Sequence, residues 1–272
     1  MNACHFDSLV ERLRAIAAQL PDCRTGDNTQ YSMADLALSA FSVFFTQNPS
    51  FLSFQKRMEQ NCGRNNARSL FQIERLPTDN HIRHCLDPVA PEHLLGFYDD
   101  LHRAFDEHGL LEAMRAVGHN AVPLTDSDDA LKVNWCELTV TDAEGKVKYR
   151  NAFITDWQIS ADNVAGLVAA GRARWKIENE NNNVLKHRGY HLEHNFEHGK
   201  RHLSSLLVTM KLLAFGLHTF LELGDPSYRL IRAHLGARRT FFQHLQAVTT
   251  YWHFETWAGL MDFMMQGLEI GP

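Results

Sequence analysis

Gly171-Arg172-Ala173-Arg174-Trp175-Lys176-Ile177-Glu178-Asn179-Glu180-Asn181-Asn182-Asn183-Val184-Leu185-Lys186 lies within a helix expected over 162–186, with Asp162 or Ser160 as its N-cap. Val164, Leu167, Val168, Gly171, Trp175, Glu178, Asn182 and Leu185 recur at steps of three or four and so share one stripe of that helix. Glu178 thus falls on the face that meets the core. A buried carboxylate is rare unless it is paired or coordinates a metal. Two readings stand. Arg174 and Glu178, at i and i+4, form a helix ion pair contributing about 0.2–0.5 kcal/mol. Alternatively, Glu178 ligates a metal while the surrounding Arg and Lys residues touch phosphates.

Upstream of this helix the chain alternates like a strand over 133–140, turns at Asp142-Ala143-Glu144-Gly145 and returns over 146–154, which predicts a hairpin. Residues 118–129 show no apolar period and read as loop. Before them, everything from 1 to 117 reads as helix. Phe6, Leu9, Val10, Leu13, Ile16 and Leu20 share one face; a second apolar stripe covers 32–47, a short helix covers 50–60, and a polar loop runs from Asn61 to Ser69. Further helices are expected over 81–86 and from Pro91 to about His108, the latter closed by Gly109. Residues 110–117 add another turn or two. After Gly189 the chain is expected to be helical over about 200–223 and 226–267.

Composition narrows the function classes. The 272 residues carry a formal net charge of −5, against a protein living on global positive charge but not against a local basic stripe. Five scattered cysteines without a Cys-x-x-Cys pair disfavour a disulfide framework and fit a reducing cytosol, so a cytoplasmic location is expected. The opening residues have neither a basic n-region nor an apolar h-region, so no secretion signal is expected. Lys211 and His218 interrupt the apolar run of 203–223, which reads as a buried core helix rather than a membrane span.

Arg174-x-x-x-Glu178 with Trp175 and Ile177, followed by Leu185-Lys186 and by Gly189-Tyr190-His191-Leu192-Glu193-His194-Asn195-Phe196, resembles the C-terminal signature of DDE-type insertion-sequence transposases. The subgroup is the one marked by a Tyr-Arg-Glu-Lys pattern, within the insertion sequence 4 group. The resemblance is strongest over roughly 150–220. It implies an RNase H-like catalytic domain in which two Asp residues from strands and one Glu from a helix hold two Mg ions for DNA strand cleavage and transfer. Glu178 would be that Glu, catalytic and metal-binding. Arg174 and Lys186 would hold DNA phosphates near the cut. The helical region 1–117 would be the DNA-binding domain, with 118–272 a transposase domain ending in helices.

This sequence departs from the pattern in places. Gly171 stands where the family has Tyr, and Leu185 where it has Lys, with Lys186 one position further on. An RNase H-like core needs on the order of 95 residues by average element and loop lengths, yet only 63 separate Arg115 from Glu178. No two Asp residues in that interval end separate parallel-type strands. The expected fold is therefore mainly α with a small β element: a helical N-terminal domain plus a partial RNase H-like α/β core. One carboxylate cannot position two Mg ions, so catalysis is expected to be impaired. The alternative is a non-catalytic DNA-binding regulator or inhibitor of transposition.

Arg172, Arg174, Lys176, Lys186, Arg188, Lys200 and Arg201 concentrate in 30 positions and are the candidate phosphate contacts, set against the reading of a solvated helix face. His81 and Arg83 join them from the first turn of a short helix, as in a recognition helix. His187, His191, His194, His198 and His202 recur at spacings that can bind zinc or face phosphates, although no His-Glu-x-x-His pattern is present. The expected partners are DNA, specifically transposon ends, and a second copy or a full-length transposase, with no membrane.

Overall fold

Phe6, Leu9, Val10 and Leu13 line the buried side of helix α1 (His5–Ala17), as their spacing requires. The coordinates are a computed structural model and describe residues 5–25, 29–109, 114–141, 145–176, 181–187, 189–194, 196 and 199–270. Ser32 caps α2 (Met33–Phe45) by accepting from Asp35 N at 3.0 Å, and every residue of that helix is buried. Ser50 caps α3 (Phe51–Met58) in the same way. Next comes α4 (Asn61–Phe71), where the sequence reading expects a polar loop. The stripe that α4 buries is Gly63, Asn66, Ala67, Leu70 and Phe71. Two of these five are not hydrophobes, so a search for apolar periodicity passes over the helix. Asn66 is satisfied on both sides of its amide, donating to Thr249 O and Trp252 O at 2.7 Å each and accepting from Phe254 N at 2.8 Å.

α5 (Asp79–Leu86) starts on the Thr78 cap, and a short 3-10 turn over Pro91–Leu94 leads into α6 (Gly96–Glu107), closed by Gly109 at φ +60° as expected. The C-terminal part comprises α9 (Leu203–Gly224), α10 (Pro226–Leu235), α11 (Arg238–Tyr251) and α12 (Trp257–Gly267). The single helical run expected over 226–267 is thus interrupted at Gly236, which takes φ +65°, and before Thr256, whose hydroxyl caps α12. α9 is long and apolar enough to cross a membrane by length and composition. It is also a core helix, with Leu206, Leu213, Ala214 and Leu217 fully buried and α2, α6 and α10 packed around it.

All these helices belong to one compact unit, Met1–His108 together with Val184–Pro272. Its centre is aromatic: Phe6 stacks on Trp257 at 4.3 Å, and Phe45 meets Phe6, Phe71, Trp257 and His218. The expected split at 117/118 assigned α9–α12 to the other domain. They pack instead with the N-terminal helices, because the apolar faces of α2 and α9 cover each other.

The second unit, Gly109–Asn183, carries an antiparallel sheet in the order β1-β2-β3, formed by β1 (Met114–Pro123), β2 (Lys132–Thr141) and β3 (Val147–Thr155). The expected hairpin is β2–β3. β1 replaces the helix and loop expected there; it reads poorly as a strand because it holds Ala116, Gly118 and Ala121, with a bulge between His119 and Val122 and Ala121 at φ +55°. α7 (Val164–Lys176) packs on the sheet through Val168, Val164 and Leu167, against Cys136, Leu138, Val140 and Ile159. α8 (Asn182–His187) follows, and residues 177–180, inside the single helix expected over 162–186, lie outside the described residues. The protein is mainly α with a small β element.

Candidate nucleic-acid interface

The cleft that gathers three of the nine expected phosphate contacts is organised by one carboxylate. Asp87 ends α5, and its side chain accepts from the backbone N–H groups of Lys200 and Arg201 at 3.0 Å and of Leu203 at 3.3 Å. Its own carbonyl takes His202 N at 3.0 Å. The turn that enters α9 is thereby fixed to the end of α5. Burial opposes the charge on Asp87, but the donors from Arg201, Lys200 and Leu203 prevail, so its pKa lies below the ordinary carboxylate value. Gly199 makes the approach possible: it sits at φ +62°, and a Cβ there would meet Asp87 Oδ1 at 2.1 Å.

Arg24, Arg83, Lys200 and Arg201 line the resulting cleft of about 700 Å³, together with His84, Cys85 and Asp87. Arg24 is held in place by Asp22, through Nε at 2.8 Å and Nη2 at 2.6 Å, and by Tyr31 O at 2.9 Å. Arg83 lies 3.5 Å from Asp79 and over the Phe51 ring at 5.8 Å. Lys200 and Arg201 are exposed. Their ammonium and guanidinium groups project from a backbone that Asp87 anchors. Such an arrangement can bind phosphate oxygens without reading bases.

Three of the expected contacts, Arg83, Lys200 and Arg201, therefore meet at one cleft. His81 is turned to local use, its Nδ1 at 2.7 Å from Thr78 Oγ1 and its ring edge-on to Tyr31. Lys186 pairs with Glu193 at 2.8 Å and thereby holds that carboxyl below its usual range. Arg172 and Arg174 belong to the sheet unit. Arg172 lies over the Tyr149 ring at 5.4 Å, and Arg174 lines a cleft of about 680 Å³ with Asp156 and Trp157. Glu178, Arg188 and His198 lie outside the described residues, as does the side chain of Lys176. Among the described residues no three His, Cys, Asp or Glu side chains group as a metal would require.

Arg24 and Asp87 escaped the sequence reading. Asp87-Pro88 reads as a helix stop, which it is. Only the fold reveals that the same carboxylate grips a turn more than 110 positions away. Arg24 lies in a stretch without periodicity and gives no local signal.

Comparison with known protein families, with characterised proteins and with solved structures finds no match to this chain.

Proposed function

We propose that this is a DNA-binding protein of the insertion-sequence transposase type, contacting transposon-end DNA through the basic cleft and impaired in strand cleavage. The observation that carries the reading is the gathering of Arg83, Lys200 and Arg201 with Arg24 around one cleft, from segments far apart in sequence. Phosphate contacts of this kind give affinity that falls with salt. Mg enters only as what the resemblance implies for Glu178, and the partial RNase H-like core is part of the same proposal, as is a cytoplasmic location.

A second reading is a regulator that occupies DNA ends without cutting them, alone or paired with a full-length transposase. The sheet favours it: three antiparallel strands carry one packed helix among the described residues of that unit, fewer elements than an RNase H-like core requires. Gel shifts of the purified chain with inverted-repeat DNA across a salt series test the shared claim. Salt-insensitive binding, or none, removes both readings. Incubation of the same DNA with Mg or Mn separates them: weak residual cleavage that Glu178→Gln abolishes supports the impaired transposase, binding without cleavage supports the regulator, and efficient cleavage overturns both.

A further inference from the structure

A second cationic cleft lies in the helical unit, apart from the one Asp87 organises. His187 at the end of α8, His191 after the Gly189 turn, and Arg239 with Gln243 on α11 line a space of about 430 Å³ to which no acidic residue contributes among the described residues. Glu193, close by in sequence, is engaged by Lys186. Behind His191 lies a further cation. Lys211 is 2% exposed, donates to His191 O at 3.0 Å and sits 4.4 Å from the Phe196 ring centroid. Among the described residues no carboxylate lies within ion-pair distance of Lys211 or Arg239. Among the described residues the permanent charge at this cleft is thus Arg239 on its lining and Lys211 beneath it, while burial, with His194, Lys211 and Arg239 nearby, lowers the His191 pKa and leaves its imidazole a neutral hydrogen-bonding group.

The backbone supports the same arrangement. Gln47, Gly189 and His191 all lie in the left-handed region, at φ +51°, +99° and +49°. At Gly189 a Cβ would meet the Gln47 side chain at 2.0 Å. For residues other than glycine this conformation has a cost, on the order of 1 kcal/mol or more each. Here it holds the His191 imidazole against a space that also receives amide donors and a guanidinium.

We propose that this cleft is a phosphate-monoester site that takes the terminal phosphate of a nucleic-acid strand. Donors arrive from α8, from the turn at 189–191 and from α11, which suits the three free oxygens of a monoester better than the two of an internal diester. The nucleic-acid source of that phosphate rests on the reading of this unit as DNA-binding. The phosphate chemistry does not.

The test has two arms. In the first, inorganic phosphate is titrated into isotopically labelled protein and the imidazole resonances of His187 and His191 are followed; both shift in the wild type, and Arg239→Gln weakens the effect about tenfold. In the second, oligonucleotides with and without a 5′- or 3′-phosphate are compared by fluorescence anisotropy. One phosphorylated end binds about tenfold tighter than its hydroxyl counterpart, and Arg239→Gln or His191→Asn abolishes that preference. Asn suits the left-handed position, so His191→Asn preserves the turn. Absence of ring shifts overturns the site. Ring shifts without any end preference overturn the nucleic-acid source. Lys200→Ala with Arg201→Ala lowers affinity for all oligonucleotides alike, so a failure of the DNA reading is visible separately.

Discussion

At the scale of single residues, Asp87 and Lys211 make opposite electrostatic bargains. Asp87 is a carboxylate that three backbone donors stabilise, so its folded pKa is depressed. Its stabilisation is complete above the unfolded carboxylate pKa and is lost as the pH falls through the folded one. Asp87→Ala is expected to lower stability by about 1 kcal/mol, the loss of a capping acceptor, and to weaken DNA binding by freeing the turn of Lys200 and Arg201. Urea denaturation and gel shifts check the two effects. Lys211 is the reverse case: burial lowers its pKa from 10.5 to about 8, because the interior disfavours the ammonium. Between those values the unfolded chain binds the extra proton. Stability therefore rises with pH across that window, by up to about 3 kcal/mol for a shift of this size. In Lys211→Met the slope attributable to this group disappears, a difference that thermal melts at pH 8 and pH 10 would expose. Neither role is legible from local sequence, since each depends on partners supplied by distant segments.

At the scale of elements, hydrophobic spacing located α1, α2 and α9 because their buried faces consist of Phe, Leu and Val. It missed α4, which buries Gly63 and Asn66, and β1, whose small residues let neighbours approach closely. A Cβ on Gly118 would meet Ile159 Cγ2 at 2.5 Å, so the residue that hid the strand is the one that admits the packing. Gly171 behaves similarly. A Cβ there would meet the Phe153 ring at 2.7–2.9 Å, so helix and sheet touch where the resembling family carries Tyr. Gly171→Tyr is accordingly expected to destabilise the sheet unit by about 1–3 kcal/mol through overpacking. Faster hydrogen exchange in β2 and α7 is the readout, and unchanged protection there would refute the packing argument. Of the candidate site, the basic residues were legible as a charge cluster in the sequence. Their division between two units was not, because the stretch that crosses the boundary at Asn183 and Val184 reads as one continuous helix over 162–186.

For the whole molecule, the proposed DNA binding would draw its affinity from the cations that can meet phosphates together. With Arg24, Arg83, Lys200 and Arg201 engaged, log K should fall with log salt at a slope of about −3.6, and Lys200→Ala with Arg201→Ala should flatten it by about 2. Binding isotherms at several salt concentrations measure both values.

The larger unit is also closed by its two ends. Trp257 N donates to Asp7 at 3.3 Å, and Asn66 holds the backbone around Trp252. Phe6 and Phe45, which also meet Phe71, take their ring partner Trp257 from the last helix. While a ribosome is still making the intervening sheet, the emerging amino-terminal half lacks the segments that shield these rings. Such contacts between remote positions delay productive collapse until the helix that carries Trp257 has been made. Removal of the segment from Trp257 onward should therefore leave these rings uncovered and send the chain to aggregates or proteases.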